Sequence, residues 1–156
     1  MKLILYFGHT GTTKKASQLL AEQFKDCTII NGMEKNKIEY SSYDTIIFGV
    51  NIHMGKLNKS FCKVIKKLTK KGISAKFACF IIAADSHQKT KYMNLAQESL
   101  PQDAYIGFFG GELDPTRARG LTKAIIQSCI NQFLNQGLPL PTLDMTAIKD
   151  FAEHIN

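Results

Sequence analysis

The clearest candidate for chemistry in this chain is a loop of hydroxyl-bearing residues that follows a short apolar segment near the N-terminus. Residues 3–7 are apolar, and Gly8-His-Thr-Gly-Thr-Thr13 follows them directly. Glycines permit turns that are closed to other residues, and threonine hydroxyls beside the free N–H groups of a helix N-terminus can bind an anion. The alternative is a tight strand-to-helix turn whose threonines serve only as caps. The loop alone leaves both interpretations open.

Several phosphate-binding and phosphoryl-transfer motifs do not fit this loop. A nucleotide-triphosphate loop needs a glycine five places after Gly8, then Lys and Ser or Thr, whereas Thr13-Lys-Lys15 stands there. A dinucleotide fingerprint needs glycines at positions 10 and 13, a cysteine phosphatase needs a loop Cys, and a phospho-acceptor receiver domain needs acidic residues after strands one and three. The remaining donors are hydroxyls and amides, without a cation or a nucleophile, which suits a single phosphate monoester.

Strand-like and helix-like segments alternate along the chain and would position this loop. Continuous apolar runs predict buried strands at 3–7, 27–30, 45–50, 77–83 and 104–109. One-face apolar spacing predicts helices at 14–25, 57–72, 88–99 and 114–135, and a last helix capped by Asp144. We therefore expect one α/β domain over residues 1–156, a three-layer sandwich with a five-stranded parallel sheet in the order 2-1-3-4-5. One helix after strand five is extra.

The predicted strand order also predicts where a ligand binds. Ligands of such sheets bind at the carboxyl ends of strands one and three, where the winding of the sheet reverses. The segments 8–13 and 51–55 follow these two strands, and Asp85-Ser-His87 follows strand four beside them. We expect the three segments to line one crevice.

The charge of the chain limits its partners. Its formal net charge is +7, and seven lysines lie between Lys56 and Lys71. A solvated helix face is the simplest interpretation, and an acidic protein, an anionic small-molecule substrate or an anionic membrane surface would each suit a functional patch. No nucleic-acid motif is present, so nucleic acid is not expected as a partner. The four cysteines form no Cys-x-x-Cys pair, which predicts free thiols and no metal site.

Nothing in the sequence resembles a signal peptide or a membrane span. The sequence therefore predicts a cytoplasmic protein without an integral membrane segment. A peripheral contact with a membrane stays open, because the lysine patch would suit an anionic surface.

Two segments resemble a known family. Thr10-Gly11-x-Thr13 after a first strand resembles the phosphate loop of the flavodoxins, which holds the FMN phosphate with hydroxyl and amide donors; the usual first Ser or Thr of that loop is Gly8 here. The segment from Tyr43 to Gly55 is similar to strand three and its loop in the flavodoxin-like, menaquinone-dependent protoporphyrinogen oxidases. The helix predicted at 114–135 is similar to that family's insertion. The resemblance implies a flavodoxin-like fold and FMN as the cofactor.

The resemblance also implies roles for individual residues, although it assigns no catalytic residue. The phosphate would be held by Thr10, Gly11, Thr12 and Thr13, with His9 beside them. The isoalloxazine ring would lie along Asn51, Ile52, His53 and Met54, and the backbone at Met54-Gly55 would respond to flavin protonation. The other wall and polar edge would come from Asp85, Ser86 and His87. Each side chain also has a simpler interpretation: His53 and His87 as exposed loop residues, Met54 as a gap filler, and Glu112 and Asp114 as turn and cap residues.

Three functions are compatible with these observations. The first is an FMN-dependent oxidoreductase that oxidises a porphyrinogen-like or other reduced substrate and passes electrons to a quinone. The second is an electron carrier that exchanges electrons with a redox partner protein. The third is a flavodoxin-shaped module without flavin.

Overall fold

The computed structural model describes the whole chain, Met1–Asn156, and contains a β-sheet between two layers of helices. The strands are β1 (Lys2–Phe7), β2 (Cys27–Asn31), β3 (Thr45–His53), β4 (Lys56–Leu57), β5 (Lys76–Ile82) and β6 (Tyr105–Phe108). The helices are α1 (Thr12–Ala21), α2 (Lys59–Lys70), α3 (Lys89–Ser99), α4 (Gly120–Asn135) and α5 (Met145–Ile155). Apart from β4, every strand was predicted from its apolar run.

The order of the parallel strands confirms the prediction. The strands run β2-β1-β3-β5-β6, and all four pairings in this series are parallel. This is the predicted order 2-1-3-4-5, because β4 is only a short addition that pairs antiparallel with β3. The carboxyl ends of β1 and β3 consequently lie side by side.

Alternate residues of the strands enter two separate cores. Leu3, Leu5 and Phe7 of β1 face a core that is completed by α2 and α3, whereas Ile4 faces a second core that is completed by α1 and α5. Each large apolar side chain buried in these cores contributes roughly 1.5–3 kcal/mol. Burial on both faces explains why the strands are continuously apolar rather than alternating.

The segment predicted as a loop after strand three is a β-hairpin. Strand β3 extends to His53, beyond the predicted end at position 50, and His53 pairs with Lys56 of β4. Met54 and Gly55 connect the strands with φ values of 50° and 73°. Positive φ at both central residues is the pattern of a tight two-residue hairpin turn, whose twist matches that of its strands.

The helix predicted at 57–72 begins later because of this hairpin. Leu57 belongs to β4 and pairs with Ile52. The side chain of Asn58 then caps α2, since its Oδ1 accepts a hydrogen bond from the backbone N–H of Ser60 at 2.9 Å.

The predicted helix at 114–135 is interrupted near its start. Asp114 caps a single 3₁₀ turn, Pro115–Arg117, and the backbone is extended at Ala118 before α4 begins at Gly120. A hydrogen bond from the Thr116 N–H to Asp114 Oδ1, at 3.0 Å, stabilises the separate turn. The prediction of one continuous helix from Asp114 was therefore wrong.

The two C-terminal helices have different roles in the fold. Helix α5 begins after Asp144, as predicted, and places Ile148, Phe151 and Ala152 in the second core. Helix α4 buries only Ile130 and belongs to neither core. Helix α5 therefore completes the sandwich, and α4 is the extra element. No helix of the protein is long and apolar enough to cross a membrane.

Candidate functional site

A cavity of about 340 Å³ lies at the carboxyl ends of the parallel strands. It is bounded by the loop after β1, the β3–β4 hairpin, the segment after β5, the segment after β6, and one face of α4. A larger depression of about 610 Å³ lies beside β2 and contains none of these loops. We regard the smaller cavity as the functional site, because only there do the strand ends converge.

The loop after β1 presents backbone amides to this cavity. Gly11 is the N-cap of α1, with a φ of 86°, and no side chain caps the helix. The first helical hydrogen bond runs from the Lys15 N–H to the Gly11 carbonyl at 3.0 Å. The N–H groups of Thr12, Thr13 and Lys14 consequently have no acceptor within the helix. Such an uncapped N-terminus binds anions.

The hydroxyl residues of the loop are buried at its base. Thr12 and Thr13 are only 4% and 2% exposed, and both line the cavity together with Thr10. No buried side-chain oxygen or nitrogen of the protein lacks a hydrogen-bond partner, so these hydroxyls are not orphaned. The burial of these threonines and the bare amides beside them fit a phosphate group.

Gly8 is explained by its contact with Thr13. A Cβ atom at position 8 would lie 2.4 Å from the Oγ1 of Thr13 and 2.7 Å from its Cβ. Both distances are shorter than any real contact of a Cβ atom. Position 8 cannot carry the Ser or Thr that the resemblance led us to expect, because Thr13 already occupies that space.

The hairpin after β3 forms the second wall. All five predicted residues line the cavity: Asn51, Ile52, His53, Met54 and Gly55. Asn51 is held in place because its Oδ1 accepts a hydrogen bond from the Nδ2 of Asn58 at 3.3 Å. Met54 is 79% exposed at the turn, so its side chain fills no gap in the core.

Asp85 and Tyr92 form the wall after β5. The Oδ1 of Asp85 accepts a hydrogen bond from the backbone N–H of His87 at 3.1 Å and thereby caps the turn Ser86–Gln88. Tyr92 of α3 is 8% exposed and lines the same wall. Burial raises the pKa of the Tyr92 hydroxyl, and the nearby Asp85 carboxylate raises it further.

Four of the predicted residues do not line the cavity. Ser86 and His87 are exposed on the turn that Asp85 caps, and His9 is exposed on the first loop. Gly11 is also absent from the lining, although its backbone conformation starts α1. The roles predicted for these four residues stay predictions.

The sequence did not predict two further walls of the cavity. Gly111, Glu112 and Leu113 follow β6, and α4 contributes Thr122, Ile125, Ile126 and Cys129. The spacing of positions 122, 126 and 129 places them on one helical face, which is the signal that could have identified this wall. The sequence predicted a helix with an apolar face here but left its role open, and in the structure that face covers the cavity.

Charged side chains also meet beside the first loop. The Nζ of Lys15 lies 2.6 Å from Glu112 Oε1, and Arg117 Nη1 lies 3.1 Å from Glu112 Oε2. Glu112 is thus the centre of an ion-pair network, and its interpretation as a simple turn residue was wrong. Asp114 caps its turn as expected, and hydrogen bonds from Thr116 lower the pKa of its carboxyl group, with a further contribution from Arg117.

Solved structures of similar fold are flavoproteins. A flavoprotein of Lactobacillus acidophilus, solved in complex with FMN, is 18% identical over 70% of this chain and 91% of its own, with a TM-score of 0.56. The flavodoxin of Megasphaera elsdenii is 15% identical over 71% of this chain and 85% of its own (TM-score 0.52). The flavodoxin of Streptococcus pneumoniae TIGR4 is 11% identical over 97% of this chain and 94% of its own (TM-score 0.59).

No curated protein matches the chain at a significant level. These structural similarities, all below 25% identity, establish the fold of the chain. The sequence profile of the flavodoxin domain family matches residues 3–133, which include the first loop, the hairpin and most of α4. The chain therefore belongs to the flavodoxin domain family.

Proposed function

We propose that the protein binds FMN in the cavity covered by α4 and works as a flavin-dependent redox protein. One observation carries this proposal: the uncapped N-terminus of α1, with its buried threonines, opens into a cavity that has apolar walls. The helix N-terminus suits the phosphate of FMN, and the apolar walls suit its flat ring. When bound, FMN supplies the electron transfer, and the protein supplies placement and electrostatics.

Different residues of the chain would hold the phosphate and the ring of FMN. The amides of Thr12 to Lys14 and the hydroxyls of Thr10, Thr12 and Thr13 hold the phosphate. The ring would be held by apolar residues that line the cavity, with Ile52 and Met54 from the hairpin and Ile126 from α4. The strained backbone at Met54, a bulky residue with φ of 50°, places the peptide groups of the turn at the rim of the cavity.

We further propose that the protein is an oxidoreductase with a quinone as electron acceptor. The position of α4 supports this proposal, because Ile125 and Ile126 add an apolar wall to the cavity beside the proposed flavin. The resemblance of the hairpin to the menaquinone-dependent protoporphyrinogen oxidases points to the same class of reaction. The net charge of +7 favours a substrate that carries carboxylates.

A test of cofactor binding is a titration of FMN into the wild type and into the double variant Thr10→Ala, Thr13→Ala. Each lost hydrogen bond to a charged phosphate costs about 1.5–3 kcal/mol, so the affinity should fall roughly 10²- to 10⁴-fold. The matched control is Thr90→Ala, which removes an exposed hydroxyl from α3. Circular dichroism verifies that each variant is folded. Unchanged affinity in a folded double variant would refute the placement of the phosphate.

A test of the reaction uses the FMN-loaded protein without oxygen. Protoporphyrinogen should bleach the flavin absorbance as it is oxidised, and a menaquinone analogue should restore the absorbance as it is reduced to the quinol. If neither compound reacts with a protein that holds FMN, the oxidase proposal fails while the FMN proposal stands.

An electron carrier is the second candidate function. The exposure of Met54 favours it, because a partner protein could approach the rim of the cavity at that side chain. The lysines of α2 would attract an acidic partner. Reduction by a candidate reductase should then slow steeply with added salt, since attraction between exposed charges is screened. A rate that is independent of salt would contradict this candidate.

A further inference from the structure

The ion-pair network beside the first loop contains two cations, each paired with a carboxylate. Arg117 makes two ion pairs, from Nη1 to Glu112 and from Nε to Asp114, each at 3.1 Å. Lys15 pairs with the other oxygen of Glu112 at 2.6 Å. The sequence separates Lys15 from Glu112 by 97 positions, so only the fold creates this cluster.

Arg117 lies directly against the turn that starts α1. Its Cδ atom is 3.5 Å from the position that a Cβ atom of Gly11 would take. Gly11 is the N-cap of the helix whose first amides are free. The side chain of Arg117 therefore lies beside Gly11, at the turn where α1 begins.

The guanidinium of Arg117 has N–H donors that its two ion pairs do not use. A guanidinium carries five N–H groups, and the two ion pairs to Glu112 and Asp114 use one N–H each. The remaining N–H groups can bind a further anion without breaking either pair. The two carboxylates fix the side chain at the edge of the loop, which reduces the entropy lost when it binds a ligand.

The carboxylate of Glu112 and a bound phosphate carry charges of the same sign. Glu112 lines the cavity and its side chain is only 19% exposed, so its carboxylate would repel a dianionic phosphate held nearby. The two cations, Lys15 and Arg117, balance the two carboxylates, Glu112 and Asp114, so the cluster as a whole is neutral. Without these cations, the amides and hydroxyls of the loop would have to bind the phosphate against the electrostatic repulsion from the Glu112 carboxylate.

We propose that Arg117, which lies beside Gly11, donates a hydrogen bond to the phosphate of FMN, with Glu112 and Asp114 as its positioning residues. This inference rests on the proposed binding of FMN. It adds a charged ligand to a phosphate loop that contains no cation of its own between Gly8 and Thr13. It makes the site selective for the phosphorylated flavin and sensitive to salt.

The experiment compares two flavins on two variants. FMN and riboflavin, which lacks the phosphate, are titrated into the wild type, Arg117→Gln and Arg119→Gln at several salt concentrations, with flavin fluorescence as the readout. Arg119 is the matched control, because it is exposed, lies two residues further on and makes no ion pair within 4.0 Å. Arg117→Gln should weaken FMN binding roughly ten- to hundred-fold and leave riboflavin binding within about two-fold of the wild type. It should also reduce the salt dependence of FMN binding, whereas Arg119→Gln should change neither.

Three results would overturn the inference. Equal affinity of the wild type and Arg117→Gln for FMN would show that the phosphate is bound without this side chain, and FMN binding itself would stand. Equal losses for FMN and riboflavin would show that Arg117 only supports the fold of the loop. A wild type that binds neither flavin would remove the cofactor proposal and this inference together.

Discussion

The contact between Gly8 and Thr13 leads to the sharpest prediction about the loop. Replacing Gly8 with Ala adds one Cβ atom, which would lie 2.4 Å from Thr13 Oγ1 and 2.7 Å from Thr13 Cβ. A different rotamer of Thr13 would move its Oγ1 but not its Cβ, because the Cβ is fixed by the backbone of α1. The loop or the helix must shift, so the free energy of unfolding should fall by about 1–3 kcal/mol.

A double-mutant cycle tests this explanation in three backgrounds. Gly8→Ala is measured in the wild type, in Thr13→Ala and in Thr13→Gly. Thr13→Ala removes the closer atom and leaves the contact at 2.7 Å, so it should relieve the cost only in part. Thr13→Gly removes both atoms and should relieve it fully, although the glycine itself costs up to about 1 kcal/mol in the helix. The coupling between positions 8 and 13 should therefore reach about 1–3 kcal/mol with Thr13→Gly.

Urea unfolding followed by circular dichroism supplies the free energies. The slope of the free energy against urea should stay constant, because the variants do not alter the surface exposed on unfolding. If Gly8→Ala costs the same in all three backgrounds, Thr13 is not the obstacle and the account of the loop is wrong.

Three further predictions concern other parts of the fold. Asp144→Ala removes the cap whose Oδ1 accepts a hydrogen bond from the Ala147 N–H at 3.0 Å, so urea unfolding should show a loss of about 1 kcal/mol, and an unchanged stability would contradict the cap. Met54→Gly relieves a positive φ of 50° in a residue with a bulky side chain. The free energy of unfolding should therefore rise by about 1 kcal/mol, and the thermal midpoint of the variant protein should rise with it. A lower midpoint would mean that the Met54 side chain stabilises the fold by packing. Burial raises the pKa of the Cys27 thiol from 9.0 to about 11. Between these pH values the folded state keeps a proton that the unfolded chain releases. The stability that is present below pH 9 is therefore lost as the pH rises towards 11. After a discount for the half-exposed position of this thiol, the loss is about 1 kcal/mol, and Cys27→Ala should lack this part of the alkaline decline in urea midpoints.

The strand order could be predicted from the sequence because its signals are local and repeated. Each parallel strand is a short apolar run, and the alternation with helical segments leaves few arrangements. The hairpin was missed because Met54-Gly55 lacks the Asn or Asp that usually marks such a turn, and Met rarely adopts a positive φ. Asp114 misled the prediction of α4, because a capping residue before Pro starts a single 3₁₀ turn as readily as a long helix.

The candidate site was predictable where the chain order determines it. The segments after β1, β3 and β5 end on the same edge of a parallel sheet, so their convergence follows from topology. The wall from α4 was not predicted, although its residues share one helical face, because Ile126 and Cys129 have the same spacing as residues that face a core. The pairing of Lys15 with Glu112 joins distant segments and leaves no pattern in the sequence.

The position of α4 relates the two proposed functions to one another. Only Ile130 anchors the helix by burial, and Leu121 and Leu134 are 77% and 61% exposed. An element with few buried contacts opens at a low cost in free energy, whereas the sheet beneath it does not. The proposed oxidoreductase would need access for a substrate to the cavity, whereas the proposed electron carrier would need only the exposed rim at Met54. Arg117 ends the 3₁₀ turn, and two residues separate it from α4, so a phosphate bound to Arg117 would hold this turn beside α1.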